Sequence, residues 1–331
     1  MTITALKSLP LADEYRALRN GCGLLDRSEV GRLELLGADR QRFLNAYVTC
    51  DVKALPPGQG AYGFFTSPQG RILSDVVVLA HEDRLWLEVA PGREGLLAEH
   101  LKKYILADRV EVRTLDDMVP LSLIGPRAGE VLLEGNPGVE LPPGLWQHAR
   151  VSVRGTEVTL VRSGRLGAEA YTLWVSASIA SHLAEDLLAD PEVKPAGLEA
   201  WEILRTEAGV PRFGMDFGEE NFPQETGAAE EAVSYTKGCY LGQEVVARIH
   251  YRGGVQKILR GLVFDAGAIP AHGTPLLFEG REAGTVGTAL GSLALGHPIG
   301  LAILHRRAAA PGTHLDFEGG HAEVREVPLI S

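Results

Sequence analysis

Lys237-Gly238-Cys239-Tyr240-Leu241-Gly242-Gln243-Glu244 sets a cysteine between two glycines, next to a lysine and just ahead of a predicted helix. That helix opens at Gly242, with Glu244 in its first turn. Glu244 and Arg248 stand four apart, in the order that favours a helical ion pair. A thiol beside Lys237 and a helix N-terminus meets two positive influences, both favouring the thiolate. The glycines permit close backbone approach, by a ligand or by another segment. The plainer reading of a lone cysteine is a small hydrophobe buried in a loop. Context decides between the two.

The chain has 331 residues, enough for two or three domains and a substantial core. Its 45% hydrophobic and 23% charged content is ordinary for a globular protein. A formal charge of −11 argues against direct binding to nucleic acid or an anionic membrane. Against that background Lys237, Arg248, Arg252, Lys257 and Arg260 crowd around the cysteine stretch. A local basic rim of this kind suits a small anionic ligand, and equally a solvated face near a domain junction. Cys22, Cys50 and Cys239 are an odd, widely spaced set with no C-x-x-C pair, which argues against a disulfide framework and a cysteine-only metal site. No apolar run reaches the ~18 residues of a spanning helix, and Met1-Thr2-Ile3-Thr4 has no secretory character. A soluble, cytoplasmic, monomeric protein is expected.

Working outward, Leu11, Tyr15 and Leu18 mark one face of a short helix that Gly21 stops. Arg32 to Leu35 alternates like a strand. Asp39 is a candidate N-cap for a helix carrying Phe43, Leu44, Tyr47 and Val48. Pro56 to Gly63 reads as a turn-rich connector. Its Gly58, Gly60 and Gly63 spell G-x-G-x-x-G, but prolines precede it and no helix follows, so a dinucleotide site is rejected. Strands at Arg71–Ala80 and Leu85–Val89, a helix with Leu97, Leu101, Tyr104 and Ile105 on one face, and a strand at Val110–Val112 form an inserted β-β-α-β unit. Strands follow at Leu121–Ile124, within Val151–Val161 and at Ala170–Val175. A helix carries Ile179, Leu183 and Leu187; the next carries Leu198, Trp201, Leu204 and Arg205 and ends at Gly209. Beyond Lys257, short strands at 258–264, 274–278, 284–289, 300–303 and 314–317 predict a small all-β barrel or sandwich.

No Walker A loop, H-E-x-x-H, G-x-S-x-G elbow or EF-hand loop is present. A cysteine-protease reading would need an oriented histidine, and nothing local makes His250 that partner. Three polar positions stand out. Asp75 opens the apolar run Val76–Leu79, Glu169 follows the glycine-spaced turn 163–167, and Arg205 and Glu207 read most simply as a surface pair on the Trp201 helix. A carboxylate and a guanidinium facing a pocket can read the edge of a heterocycle, but spacing alone assigns none of them.

The stretch 237–244 resembles the K-G-C-Y-x-G-Q-E signature of YgfZ-type folate-binding proteins, relatives of the glycine-cleavage T-protein (aminomethyltransferase). Leu204-Arg205-Thr206-Glu207-Ala208-Gly209 is similar to the family's L-R-x-E-A-G helix end, and Pro211 to Gly227 to the segment after it. Gly284-x-Val286-Gly287-Thr288-Ala289 and Gly300-Leu301-Ala302 resemble the C-terminal barrel. The resemblance implies an α+β, three-domain T-protein-like fold around tetrahydrofolate. It has a discontinuous first domain (1–50 plus 118–250), a ferredoxin-like insertion (51–117) and a C-terminal β-barrel (256–331). Where T-proteins carry an Asp-Asp pair, this chain has Ser74-Asp75. Where they carry T-G-E-x-G-x-E, residues 163–169 place Arg165 at the first glutamate and keep the second as Glu169.

On this resemblance tetrahydrofolate, or a one-carbon derivative, is the cofactor. Glu169, Arg205, Asp75, Tyr62 and Gln243 are its expected contacts. Cys239, Lys237 and Asp75 are the expected reactive groups. The leading implication is an accessory role in maturing or repairing iron–sulfur enzymes, with iron–sulfur client or assembly proteins as partners and an indirect effect on tRNA modification. One alternative is one-carbon transfer of the aminomethyltransferase type, with Asp75 stabilising charge and no need of a cysteine. Another is a non-catalytic folate sensor or scaffold in which Cys239 is inert.

Overall fold

A computed structural model describes residues 8–134, 136–267 and 269–330. The N-terminal Met1–Thr4 stretch lies outside them. The chain divides into two compact units: one holds the described residues up to Gly63 with Val76–Trp201, the other Phe64–Asp75 with the residues from Glu202 onward.

The first unit opens with α1 (Leu11–Asn20), β1 (Cys22–Asp26), β2 (Gly31–Leu36) and α2 (Arg40–Asn45). It continues with β3 (Gly60–Thr66), β4 (Ile72–Ala80), β5 (Arg84–Val89), α3 (Glu94–Lys102), β6 (Glu111–Thr114) and β7 (Met118–Ile124). Then come α4 (Ala128–Leu133), β8 (His148–Val153), β9 (Thr156–Arg162), β10 (Ala170–Ser176), α5 (Ala180–Leu188) and β11 (Val193–Ala196). The tip of the β3–β4 hairpin, Phe64–Asp75, groups with the second unit.

Two sheets form. One runs β11-β1-β7-β10-β9-β8, with β1 parallel to β11 and its other pairs antiparallel. Its middle strands β7 and β10 are almost wholly buried, and the polar Ser122 and Thr172 inside them bond to each other at 2.9 Å. Leu24, Leu121, Leu160 and Leu173 pack there with Leu183 and Leu187 of α5. The other sheet runs β3-β4-β5-β2-β6. Strand β2 pairs with both β5 and β6, so a strand from the segment 1–50 completes the sheet of the expected insertion. Inside this unit Trp86 of β5 meets Trp174 of β10 at 5.6 Å.

Several local expectations change. Pro56–Gly63 is not all connector, because β3 starts at Gly60. Asp39 sits at the N-cap of α2 without capping it; its carboxylate accepts the Arg109 backbone N–H at 2.9 Å instead. Tyr104 and Ile105 lie past the end of α3.

The second unit contains most of α6 (Leu198–Glu207), then α7 (Ala229–Ala232) and α8 (Gln243–Arg252). Six strands follow: β12 (Lys257–Phe264), β13 (Pro275–Phe278), β14 (Arg281–Gly291), β15 (Pro298–His305), β16 (His314–Phe317) and β17 (Gly320–Arg325). They close as β12-β15-β14-β13-β16-β17, the expected barrel with one strand more than the spacing shows. Leu262, Phe264, Leu276, Leu304, Leu315 and Val324 fill it. No helix among the described residues is long and apolar enough to cross a membrane.

Candidate folate site

In the first unit Glu169 stands just before β10. Its Oε1 accepts the Tyr171 hydroxyl at 2.8 Å. The carboxylate lies against Gly129 of α4, where a Cβ would stand 2.9 Å from Oε1. Tyr171 is buried, and burial, together with the bond to Glu169 and its charge, pushes the phenol up to about 12. The tyrosine is therefore a permanent donor near neutral pH. It fixes one oxygen of Glu169, and among the described residues Oε2 meets no donor. Glu169 is half-buried, with a second oxygen that remains an acceptor.

Tyr62, in β3, is buried. Arg165 lies over its ring, guanidinium carbon 4.3 Å from the centre, and Trp146 stands on it at 6.3 Å with the rings 20° from parallel. Neither Trp146 nor Tyr171 carries a local sequence signal.

In the second unit the cysteine stretch folds against the tip of the β3–β4 hairpin. Gly242 is left-handed (φ 85°), and a Cβ there would fall 2.4 Å from the Ser67 carbonyl oxygen and 3.0 Å from Gly70 Cα. The Thr66 hydroxyl donates to the Leu241 carbonyl at 2.6 Å. Of the two partners a glycine there can admit, the structure supplies another segment. Gln243 closes the turn: its N–H donates to the Tyr240 carbonyl at 3.1 Å, and its Oε1 accepts the Tyr240 N–H at 3.3 Å. Helix α8 then runs as predicted, but without the expected Glu244–Arg248 pair among the described residues.

Cys239 is exposed, whereas Cys22 and Cys50 are buried and the Cys22 thiol is pushed up to about 12 by burial. A side chain at Gly238 would meet nothing within 4 Å. Lys237 is buried, with Nζ 5.2 Å from the centre of the Tyr240 ring. Asp75 lies half-buried in β4 beside Ser74, which is fully buried and donates its hydroxyl to the Asp75 carbonyl at 2.7 Å. The one carboxylate of this pair is thus Asp75, with a serine turned inward next to it.

Arg205 and Glu207 are not a surface pair. Both are interior, at 0% and 1% exposure. Arg205 donates to Glu202 Oε2 at 2.7 Å, to Asp216 Oδ2 at 2.8 Å, to the Val210 carbonyl at 3.0 Å and to Thr288 Oγ1 at 2.7 Å. Asp216 Oδ1 accepts the Thr288 N–H at 2.8 Å, and Gly287 leaves the space, since a Cβ there would lie 2.7 Å from that oxygen. Glu207 Oε1 accepts the Ser292 hydroxyl at 2.6 Å. The L-R-x-E-A-G and G-x-V-G-T-A stretches are therefore two halves of one buried polar joint between α6 and β14. Asp216, its centre, follows a glycine turn and gives no other sign of its role.

No group of three or more potential metal ligands occurs among the described residues. Residues 7–237 match the GCVT N-terminal domain, and residues 257–329 the glycine cleavage T-protein C-terminal barrel domain. The chain belongs to the glycine-cleavage T-protein family. A chloroplastic protein of Arabidopsis thaliana, named only at the level of a transferase, is 29% identical over 95% of this chain and 73% of its own. An aminomethyltransferase of Rubrobacter xylanophilus is 30% identical over 96% of this chain and 82% of its own. The crystal structure of aminomethyltransferase T from Bartonella henselae shares the fold, with a TM-score of 0.87 and 23% identity over 97% of this chain and 90% of that one.

Proposed function

We propose that this protein is a tetrahydrofolate-dependent one-carbon transferase of the aminomethyltransferase type. The observation that carries the reading is the half-buried Glu169 carboxylate, one oxygen held by the Tyr171 hydroxyl and the whole group set against Gly129. A reduced pterin presents a row of N–H donors along one edge, and an ionised carboxylate accepts from such a row with charge-assisted bonds. The residues present fit that group. The family match over both domains and the aminomethyltransferase relatives support the same reading. Tetrahydrofolate, when bound, supplies the nitrogen that takes up a one-carbon unit. Glu169 holds and orients the pterin. Asp75 is the carboxylate that stabilises positive charge developing on the transferred group, alone because Ser74 stands where relatives of this type carry a second acid.

A specific observation favours a second reading. Cys239 is exposed, in a stretch that resembles the YgfZ-type signature, with open space beside it at Gly238. In that reading the thiol serves a folate-dependent role in maturing or repairing iron–sulfur enzymes. Two variants separate the readings in an assay of one-carbon transfer to tetrahydrofolate. The transferase reading expects Cys239→Ser to keep its rate and Asp75→Asn to lose at least ~100-fold. Loss of activity in Cys239→Ser with Asp75→Asn intact would reverse the choice.

A further inference from the structure

Two histidines stand side by side in the first unit, their rings 4.7 Å apart, and the fold employs the nitrogens of only one. His148, at the start of β8, is buried, and both its ring nitrogens face backbone carbonyls: Nε2 that of Ala80 at 3.1 Å, Nδ1 that of Trp146 at 3.4 Å. His81 follows β4 and lies against Trp86 at 4.3 Å. Its Nε2 is buried and has no hydrogen-bond partner among the described residues. Its Nδ1 has no partner among them either, but it is not enclosed.

That open nitrogen belongs to the wall of a cleft of about 500 Å³, a volume in the range of small-molecule sites. The Pro57–Gly58 turn, the β4–β5 turn from His81 to Asp83, and His148 to Arg150 of β8 surround it. None of these residues is among those of the candidate folate site. Burial above all, with His148 and Arg150, lowers the His81 pKa to about 3, so near neutral pH the ring is uncharged and carries one N–H. Orphaned buried N–H groups are rarer than under-satisfied acceptors, which puts that proton on Nδ1 and leaves the lone pair on the enclosed Nε2.

Arg150 stands two residues beyond His148, on the same face of β8. It is exposed, its charge is felt at the His81 ring, and it makes no ion pair among the described residues. The Asp83 carboxylate is already closed by Arg84, at 2.9 and 2.7 Å, and Glu82 is exposed beside it. An N–H donor and a guanidinium without a counter-ion thus share a cleft with two carboxylates. That balance suits one negative charge and repels a dianion.

We propose that this cleft binds a small organic monocarboxylate, which accepts from His81 Nδ1–H and pairs with the Arg150 guanidinium. The site is separate from the folate reading and does not depend on it.

Benzoate is the probe, added to wild type and Arg150→Gln and followed by proton–nitrogen correlation spectra of the histidine rings. His81→Phe identifies the His81 signals. The free protein is expected to show His81 protonated at Nδ1. Benzoate should shift those signals saturably, and about tenfold more weakly in Arg150→Gln, an exposed substitution whose melting temperature should match wild type. Inorganic phosphate at equal ionic strength, above neutral pH where it is a dianion, should not reproduce the shift. A proton on Nε2, no saturable response, an equal response in Arg150→Gln, or phosphate acting as well as benzoate would each overturn the proposal.

Discussion

Glu169 is the residue on which the functional account turns, and its geometry predicts a clean phenotype. In Glu169→Gln the amide oxygen still accepts the Tyr171 hydroxyl, so the fold is retained. The charge proposed to meet the pterin is gone. Tetrahydrofolate affinity should fall by about 1.5–3 kcal/mol, roughly ten- to a hundred-fold, with an unchanged melting temperature. Isothermal titration beside thermal unfolding checks both halves. Tyr171 gives a second prediction, in pH. Its pKa is raised from 10 to about 12, so the folded state keeps a proton that the unfolded state releases first. The stability this contributes is complete below pH 10 and is lost as pH rises toward 12. Ultraviolet titration should show Tyr171 ionising well after an exposed tyrosine, and Tyr171→Phe should flatten the alkaline loss of stability. Little of this was legible beforehand. The turn 163–167 pointed at Glu169, but Tyr171 looked like any apolar strand residue, because a phenol's partner is set by tertiary packing.

The elements carry the stability predictions. Removing the guanidinium in Arg205→Met leaves the interior Asp216 without its cation, while half-buried Glu202 keeps Arg212. Breaking such a buried pair costs about 3–5 kcal/mol, and urea unfolding measures it. A loss below about 1 kcal/mol would contradict the buried joint between α6 and β14. In the other unit His81 packs between Trp86 at 4.3 Å and His148 at 4.7 Å. Burial, with the nearby His148 and Arg150, lowers its pKa from 6.5 to about 3. The unfolded chain then takes up a proton that the folded one refuses. Stability from His81 is present above pH 6.5 and drains away as pH falls toward 3. His81→Phe should make acid unfolding shallower in that window. Strand periodicity located most of these elements, because alternation and apolar runs record burial directly. Arg205 and Glu207 were misread for the same reason: charged residues on a helix suggest solvent, and two of the groups that hold them inside, Thr288 and Ser292, lie 83 and 85 positions away.

At the scale of the molecule, composition and strand spacing placed the terminal barrel, and family resemblance supplied the T-protein fold. Neither showed that β2 joins the sheet of the inserted segment, because pairing over such distances is fixed by the whole core rather than by local pattern. The glycines of the cysteine stretch were legible as places of close approach, but that a segment, the Ser67–Gly70 hairpin tip, is what approaches Gly242 was not. The central claim is that this chain binds reduced folate through Glu169. Calorimetric titration of tetrahydrofolate into wild type and Glu169→Gln tests it most directly. The account predicts saturable one-to-one binding to wild type, weakened at least tenfold in the variant. Equal affinity in both, or no binding to wild type, would contradict it.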